Sequence, residues 1–289
     1  MNPSRKSSVP RCAFALAVVL MAGARPGLAH EAIDRQIQDL SRRIKEEPGN
    51  AALYLRRGEL YRADRDWAAA LADYHSARNL DAALAAVDLC LARMHLDAGQ
   101  PEEARRSADR FLARQPNHIQ ALLTRARALV NLGERLRAAD DFTRAIELCR
   151  EPERPLPEYY LERAHALADE GGERVDEALR GLDEGIARLG PLITLELSAI
   201  ELQLGTKRYD GALRRVDAIL ARWPRKELWL AKRGEILEEA GRVSEALQAY
   251  AAARKALESL PPHRRRAKAF SEIEVRLDAA LVRLGGESP

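Results

Sequence analysis

The chain has 289 residues, near the upper size for a single hydrophobic core, with 31% charged but only 5% aromatic residues. Its formal net charge is +3, yet residues 1–29 hold four basic residues and no acidic one, which leaves about −1 for the rest. Nucleic-acid binding needs a basic surface that neutralises phosphates. We therefore expect no nucleic-acid partner.

Residues 1–29 have the pattern of a secretory signal peptide. Three basic residues precede the apolar stretch 12–23, and the small residues Gly27 and Ala29 lie just before an expected cleavage point after Ala29. The apolar stretch is shorter than the roughly 20 residues of a membrane-spanning helix. We predict cleavage, a periplasmic or secreted location and no integral membrane span after cleavage. An uncleaved membrane anchor is the alternative.

Residues 30–50 predict one N-terminal capping helix. Apolar residues recur there at helical spacing, and Pro48, Gly49 and Asn50 end the pattern. The apolar residues are Ile33, Ile37, Leu40 and Ile44.

The stretch 51–84 is the first copy of a 34-residue repeat. Small residues recur at this step in two series, which is the signature of a solenoid. The first series is Gly58, Ala92 and Ala126; the second is Ala70, Ala104 and Ala138, continued by Ala178, Ala212 and Ala246 after a gap six residues longer.

Each repeat predicts two helices joined by a short turn. In the first repeat, two apolar stripes at helical spacing flank the turn Asp64–Asp66. Two helices joined so closely need small side chains where they cross, which the two series supply. Glycines suited to ending a helix mark the later turns: Gly99, Gly133, Gly171, Gly205 and Gly241.

This pattern resembles the tetratricopeptide repeat (TPR) family, over six repeats in residues 51–260. The resemblance implies an all-α, TPR-type α-solenoid, a right-handed superhelix of antiparallel helix pairs whose first helices line a concave groove. The fifth repeat departs from the family pattern, because Ile200 stands where Gly or Ala is expected. This departure puts the helix spacing of that repeat in question.

Residues 261–289 predict a C-terminal capping helix and tail. Terminal repeats need a cover, and one apolar stripe in this segment can provide it. The stripe consists of Phe270, Ile273, Leu277, Ala280, Leu281 and Leu284.

Two cysteines remain after the predicted cleavage. Cys90 and Cys149 could form a disulfide in an exported protein, but an intervening helix should hold them further apart than a disulfide permits. We expect two separate buried thiols.

No catalytic or cofactor motif is present. The sequence has no phosphate-binding loop, no HExxH, no CxxC and no GxSxG, and its six histidines are dispersed. We therefore predict a non-catalytic protein without cofactor or metal; an enzyme with an unrecognised site is the least favoured hypothesis.

The candidate site is the groove that the resemblance implies. Carried over by register, the fifth and ninth residues of successive first helices line it. An apolar row rimmed by charge suits a peptide or an amphipathic helix, and the two central arginines could hold a carboxylate. The predicted groove residues are Leu55, Glu59, Leu89, Arg93, Leu123, Arg127, Leu161, His165, Leu197, Glu201 and Glu235, with Ala231 in the fifth position of the last repeat.

Two functional hypotheses follow. The first is a protein–protein interaction scaffold of the bacterial periplasm that binds a peptide or protein segment in the groove. The second is a structural or assembly subunit of an envelope complex, docked through its convex face or its ends. Both leave the partner unidentified.

Overall fold

The computed structural model describes residues 26–150, 154–261 and 268–285, without the side chains of residues 26–29, 268 and 269. These residues form fourteen helices and no strand, and they divide between Val87 and Asp88 into two compact units. The helices are α1 (Pro26–Glu46), α2 (Ala51–Ala63), α3 (Trp67–Leu80), α4 (Ala86–Asp97), α5 (Pro101–Arg114), α6 (Ile119–Asn131), α7 (Arg135–Leu148), α8 (Pro157–Ala168), α9 (Arg174–Leu189), α10 (Ile193–Gly205), α11 (Tyr209–Arg222), α12 (Glu227–Glu239), α13 (Val243–Glu258) and α14 (Lys268–Gly285).

The first unit contains α1, α2 and α3. Leu40 and Ile44 of α1 are buried against Leu53 of α2, as the apolar spacing of the capping segment predicts. Asn50 accepts a hydrogen bond from the backbone N–H of Ala52, so this side chain caps the first turn of α2. Helix α1 begins at Pro26, so the predicted cleavage point after Ala29 lies inside it, while residues 1–25 lie outside the described residues.

In the second unit, helices contact their neighbours in chain order from α5 to α13. Three-residue turns join the two helices of most pairs, and residues 169–173 form a longer turn between α8 and α9. First helices of adjacent pairs also contact each other: α8 touches α10, and Arg127 of α6 bonds to Glu162 of α8. The fold class is therefore the predicted all-α, TPR type.

Side-chain sizes are complementary at the point where the two helices of a pair meet. The eighth residue of each first helix (the seventh in α4) is followed, 16 residues later (18 in the fourth pair), by a second buried residue, and this second residue is the larger one in four of the six pairs. The pairs are Gly58–Tyr74, Ala92–Ala108, Ala126–Phe142, Ala164–Leu182, Ile200–Val216 and Gly234–Tyr250. The fifth pair therefore accommodates Ile200, which is fully buried, because Val216 replaces an aromatic ring.

The turns between paired helices place a residue with positive φ at a regular position. This residue is Arg65, Gly99, Gly133, Lys207 or Gly241 in five of the pairs, and Gly171 and Gly172 share the longer turn. Gly205 ends α10, as predicted, and the residue of this turn with the left-handed conformation is Lys207, two residues later, with φ 57°.

Helix α14 packs on α12 and α13. Ile273, Leu277 and Ala280 are buried there, and Phe270, Leu281 and Leu284 are half-buried against the same cluster. The predicted apolar stripe is thus the face that covers the last helix pair.

Cys90 and Cys149 are both buried and are not joined by a disulfide. The thiol of Cys149 lies 3.2 Å from the carbonyl oxygen of Ala145, one turn earlier in α7. This agrees with the expectation of two separate buried thiols.

Candidate protein-interaction face

The predicted groove residues occupy equivalent places on successive first helices. In an α-helix, residues four apart share one face, so the fifth and ninth residues of each first helix (the fourth and eighth in α4, which begins at Ala86) form one row. We call this row on α4, α6, α8, α10 and α12 of the second unit the first-helix face. Its members are Leu89, Arg93, Leu123, Arg127, Leu161, His165, Leu197, Glu201, Ala231 and Glu235.

The apolar members of this face differ in exposure. Leu89, Leu161 and Leu197 are half-buried and so present part of their side chains to solvent. Leu123 is only 1% exposed and lies on a buried side of α6. It therefore packs inside the unit and does not line a surface, which corrects its expected place. Ala231, at 8%, is also buried.

Several charged members of the face already bind other side chains. Nε of Arg127 donates to Glu162 at 3.1 Å, so this arginine links α6 to α8. Arg93 is half-buried and engaged by a neighbouring group. Glu235 accepts from Lys232 at 3.1 Å and lies 3.7 Å from Arg276 of α14. These pairs stabilise the arrangement of first helices and leave less charge for a ligand carboxylate than expected.

His165 and Glu201 are the most accessible ionisable members of the face. Both are exposed, and Glu201 makes no hydrogen bond or ion pair with any described residue. Partial burial raises the pKa of Glu201, and the positive charges of Lys232 and His165 oppose this shift. A carboxylate in this setting is suited to receive a cationic group from a partner.

Leu55 and Glu59 belong to the first unit. Leu55 is half-buried on α2. Glu59 accepts a 2.6 Å hydrogen bond from the hydroxyl of Tyr74 and lies 3.2 Å from Arg62. Glu59 therefore joins α2 to α3 within this unit.

Sequence reasoning missed two buried ion pairs. Arg57 binds both carboxylate oxygens of Asp73, at 2.8 and 2.7 Å, and Arg125 binds both of Asp141, each at 2.7 Å. The hydrogen bonds to these aspartates are the main cause that raises the pKa of each arginine. The signal was present in the sequence, because both arginines and both aspartates recur after two repeat lengths.

A metal site and a membrane span each have structural requirements, against which the described residues can be compared. Among them, no group of three or more His, Cys, Asp or Glu side chains is placed to hold a metal ion. None of the described helices combines the length and apolar character needed to cross a bilayer. What these residues do offer is a face of half-buried leucines and charges, which suits binding.

Known proteins match both the sequence and this architecture. The tetratricopeptide repeat family model matches residues 89–155 and 197–261. No curated protein matches the sequence significantly. Among solved structures, YrrB, described as a TPR protein with an unusual peptide-binding site, is 21% identical with a TM-score of 0.52, over 66% of this chain and 95% of YrrB.

Two further structures are similar. A tetratricopeptide repeat protein from Parabacteroides merdae is 18% identical with a TM-score of 0.53, over 86% of this chain and 94% of that one. MamA is 20% identical with a TM-score of 0.52, over 61% and 93%. At such identities these matches establish the fold alone.

Paired helices in series define a helical-repeat scaffold. Residues 89–155 and 197–261 match the tetratricopeptide repeat model, and the similar structures share the fold of the described residues. Tetratricopeptide repeats form protein–protein interaction scaffolds and bind peptides or proteins, and the family is generally non-enzymatic.

Proposed function

We propose that this protein is a non-catalytic scaffold of the bacterial periplasm that binds a peptide or protein segment on its first-helix face. The observation that carries this proposal is the combination of half-buried leucines with Glu201, a carboxylate that makes no hydrogen bond or ion pair with any described residue. The leucines offer apolar contact area, and Glu201 offers a charge-assisted hydrogen bond to a cationic residue.

Rigidity supports the same proposal. Arg127 fixes α6 against α8, and Arg163 of α8 donates to Glu184 of α9 at 2.7 Å. A binding surface whose helices are held in place loses little conformational entropy when a flexible segment docks.

The test is recovery of the native partner by cross-linking in the envelope, followed by affinity measurement with the recovered segment. The site variant combines Leu161→Ala, Leu197→Ala and Glu201→Gln on first helices. The control variant combines Leu136→Ala and Glu147→Gln, both exposed on the second helix α7. We expect the site variant to lose the partner and the control to keep it, with unchanged helicity in both.

The opposite result favours the second candidate function. If the site variant keeps the partner and truncation of a capping helix or changes on second helices abolish recovery, the protein is an assembly subunit that docks through its ends or its other face. Leu136, Val275 and Val282 are among the exposed apolar residues that lie outside the first-helix face and are available to such docking.

The location and domain division are part of the same proposal. We infer a leader in residues 1–29, a cap in 30–50, six repeats in 51–260 and a C-terminal cap and tail in 261–289. Intact-mass measurement on protein isolated from the envelope tests the leader: a chain that begins at His30 supports it, and one that begins at Met1 refutes it.

A further inference from the structure

A charged cleft of about 620 Å³ lies between α9 and α11, over the C-terminal end of α10. It is formed by these two second helices, by Gln203 near the end of α10 and by the turn between α10 and α11, and it lies within the second unit. Five basic and three acidic side chains line it, so its walls carry a formal net charge of about +2. Walls of low dielectric concentrate such a field.

The three carboxylates of the cleft are each already paired. Asp176 is bound by Arg208, Asp183 by Arg215 at 2.6 Å, and Asp210 by Arg242 at 3.0 Å. These bridges join α9 to α11 and α11 to α13. The acidic charge of the cleft is therefore used to hold neighbouring second helices together.

Three cations of the cleft have no such partner. Arg180, Lys207 and Arg214 are exposed, and their side chains make no hydrogen bond or ion pair with any described residue. Arg180 helps to lower the pKa of Asp176, after the larger effect of the hydrogen bond from Arg208, but does not bond to that carboxylate.

Two buried polar atoms of the lining also lack hydrogen-bond partners among the described residues. They are Nε of Arg215, whose two terminal nitrogens already bind Asp183 and Glu196, and Oε1 of Gln203. An N–H donor without an acceptor favours a ligand that accepts hydrogen bonds. The amide of Gln203 can present its NH₂ group to the same ligand, because its two orientations are nearly isosteric.

We propose that this cleft binds a tetrahedral dianionic oxyanion, of the phosphate- or sulfate-monoester class, through Arg180, Lys207 and Arg214. A dianion matches the excess charge of the lining. Guanidinium groups recognise such oxyanions by paired, charge-assisted hydrogen bonds. The cleft is larger than one phosphate ion, so it leaves room for the organic part of a small ester.

This site is separate from the first-helix face. Its residues lie on α9 and α11, on the turn that follows α10 and, for Gln203 alone, near the C-terminal end of α10, and none is a member of that face. The proposal therefore stands or falls independently of the proposed function.

The test measures the melting temperature of the full chain in sodium phosphate, sodium sulfate, glucose 6-phosphate and sodium chloride at equal ionic strength. The site variant is Arg180→Gln/Lys207→Gln/Arg214→Gln. The control variant, Arg114→Gln/Arg222→Gln/Arg225→Gln, removes three exposed arginines of the same unit and changes the net charge equally. Titration calorimetry with the same anions gives the affinities.

We expect the dianions to raise the melting temperature of the natural chain and the control above the chloride value. The site variant should bind at least about tenfold more weakly, since it lacks three charged donors. Comparison of the affinities for phosphate, sulfate and glucose 6-phosphate shows whether the cleft prefers a free anion or a phosphate ester. Equal melting temperatures in phosphate and chloride, or equal responses of the two variants, would overturn the proposal.

Discussion

At the scale of single residues, the two buried ion pairs join three successive helices. Arg125 of α6 binds Asp141 of α7 and, at 2.9 Å, Asp109 of α5. Arg57 plays the equivalent part in the first unit, where it binds Asp73 and donates to Ser41 of α1 at 2.8 Å. The guanidinium fork reaches two neighbours at once, which a lysine cannot reproduce.

Loss of Arg125 should therefore be costly. Arg125→Met leaves Asp141, a buried carboxylate, without its charged partner, and we expect the free energy of unfolding to fall by about 2–4 kcal/mol. Urea denaturation followed by circular dichroism measures this. Arg106→Met, which removes an arginine that is 60% exposed, should cost under about 0.5 kcal/mol. Equal losses would show that the buried pair has no special role.

Glu201 should make the folded chain less stable as the pH rises, whereas a carboxylate in an ion pair makes it more stable. Its pKa is raised in the folded chain, so the folded state prefers the protonated form. Its contribution to stability is present below the unfolded pKa and is lost as the pH rises through the folded pKa.

The variant Glu201→Gln removes this titration. We expect it to gain stability relative to the natural chain as the pH rises above the unfolded pKa of this glutamate, by about a few tenths of a kcal/mol because the side chain is exposed. Lys232 and His165 act on the same carboxylate, so His165→Gln, which keeps Glu201, serves as a control variant. A difference that is constant with pH would contradict the assignment.

At the scale of helix pairs, close approach depends on complementary sizes. A Cβ atom added to Gly234 would lie 2.5 Å from the ring of Tyr250, and one added to Gly58 would lie 2.6 Å from the ring of Tyr74. Real Cβ atoms do not approach so closely. The glycine and the tyrosine therefore form one packing unit in the first and the last pair.

Gly234→Ala should destabilise by about 1–2 kcal/mol, although alanine favours an ordinary helix interior by about 1 kcal/mol. The double variant Gly234→Ala/Tyr250→Leu imitates Ala164–Leu182 of the fourth pair, and it should cost less than the sum of its single changes. Gly205→Ala, where no atom lies within 4 Å, should be neutral or slightly stabilising. Thermal and urea unfolding measure the stability changes of Gly234→Ala, Tyr250→Leu, the double variant and Gly205→Ala.

The sequence predicted the helix pairs and the buried small residues, because both follow from one 34-residue period. It did not predict that Leu123 is buried, since burial depends on how α6 packs between α5 and α7. Nor did it predict that Arg127 is used by Glu162, since that contact crosses from one pair to the next. The sequence therefore predicted the fold better than the interaction face. Contacts between repeats determine which charges of that face remain unpaired, and these contacts do not follow from the repeat period.

At the scale of the second unit, stability should depend on the C-terminal helix α14. Helix α14 covers the last pair with Ile273, Leu277 and Ala280, and Arg283 binds Glu238 of α12 at 2.6 Å. Repeat arrays need such a terminal cover, because an exposed last pair leaves its apolar side in water.

A chain that ends at Leu260 should therefore melt at a lower temperature and aggregate more readily than the full chain. A chain that ends at Gly285, which keeps α14, is the control and should behave like the full protein. Differential scanning calorimetry and light scattering measure the two effects. Equal solubility of both truncations would contradict a covering role for α14.

The two tyrosine rings that close over glycines also make the molecule easy to follow in solution. The Hα protons of Gly58 and Gly234 lie within the magnetic field of a ring current, so their resonances should be displaced from the usual glycine range. One signal belongs to residues 1–87 and the other to residues 88–289. Two lines in a proton spectrum can thus show, without any added label, whether the two parts lose their structure together or in turn.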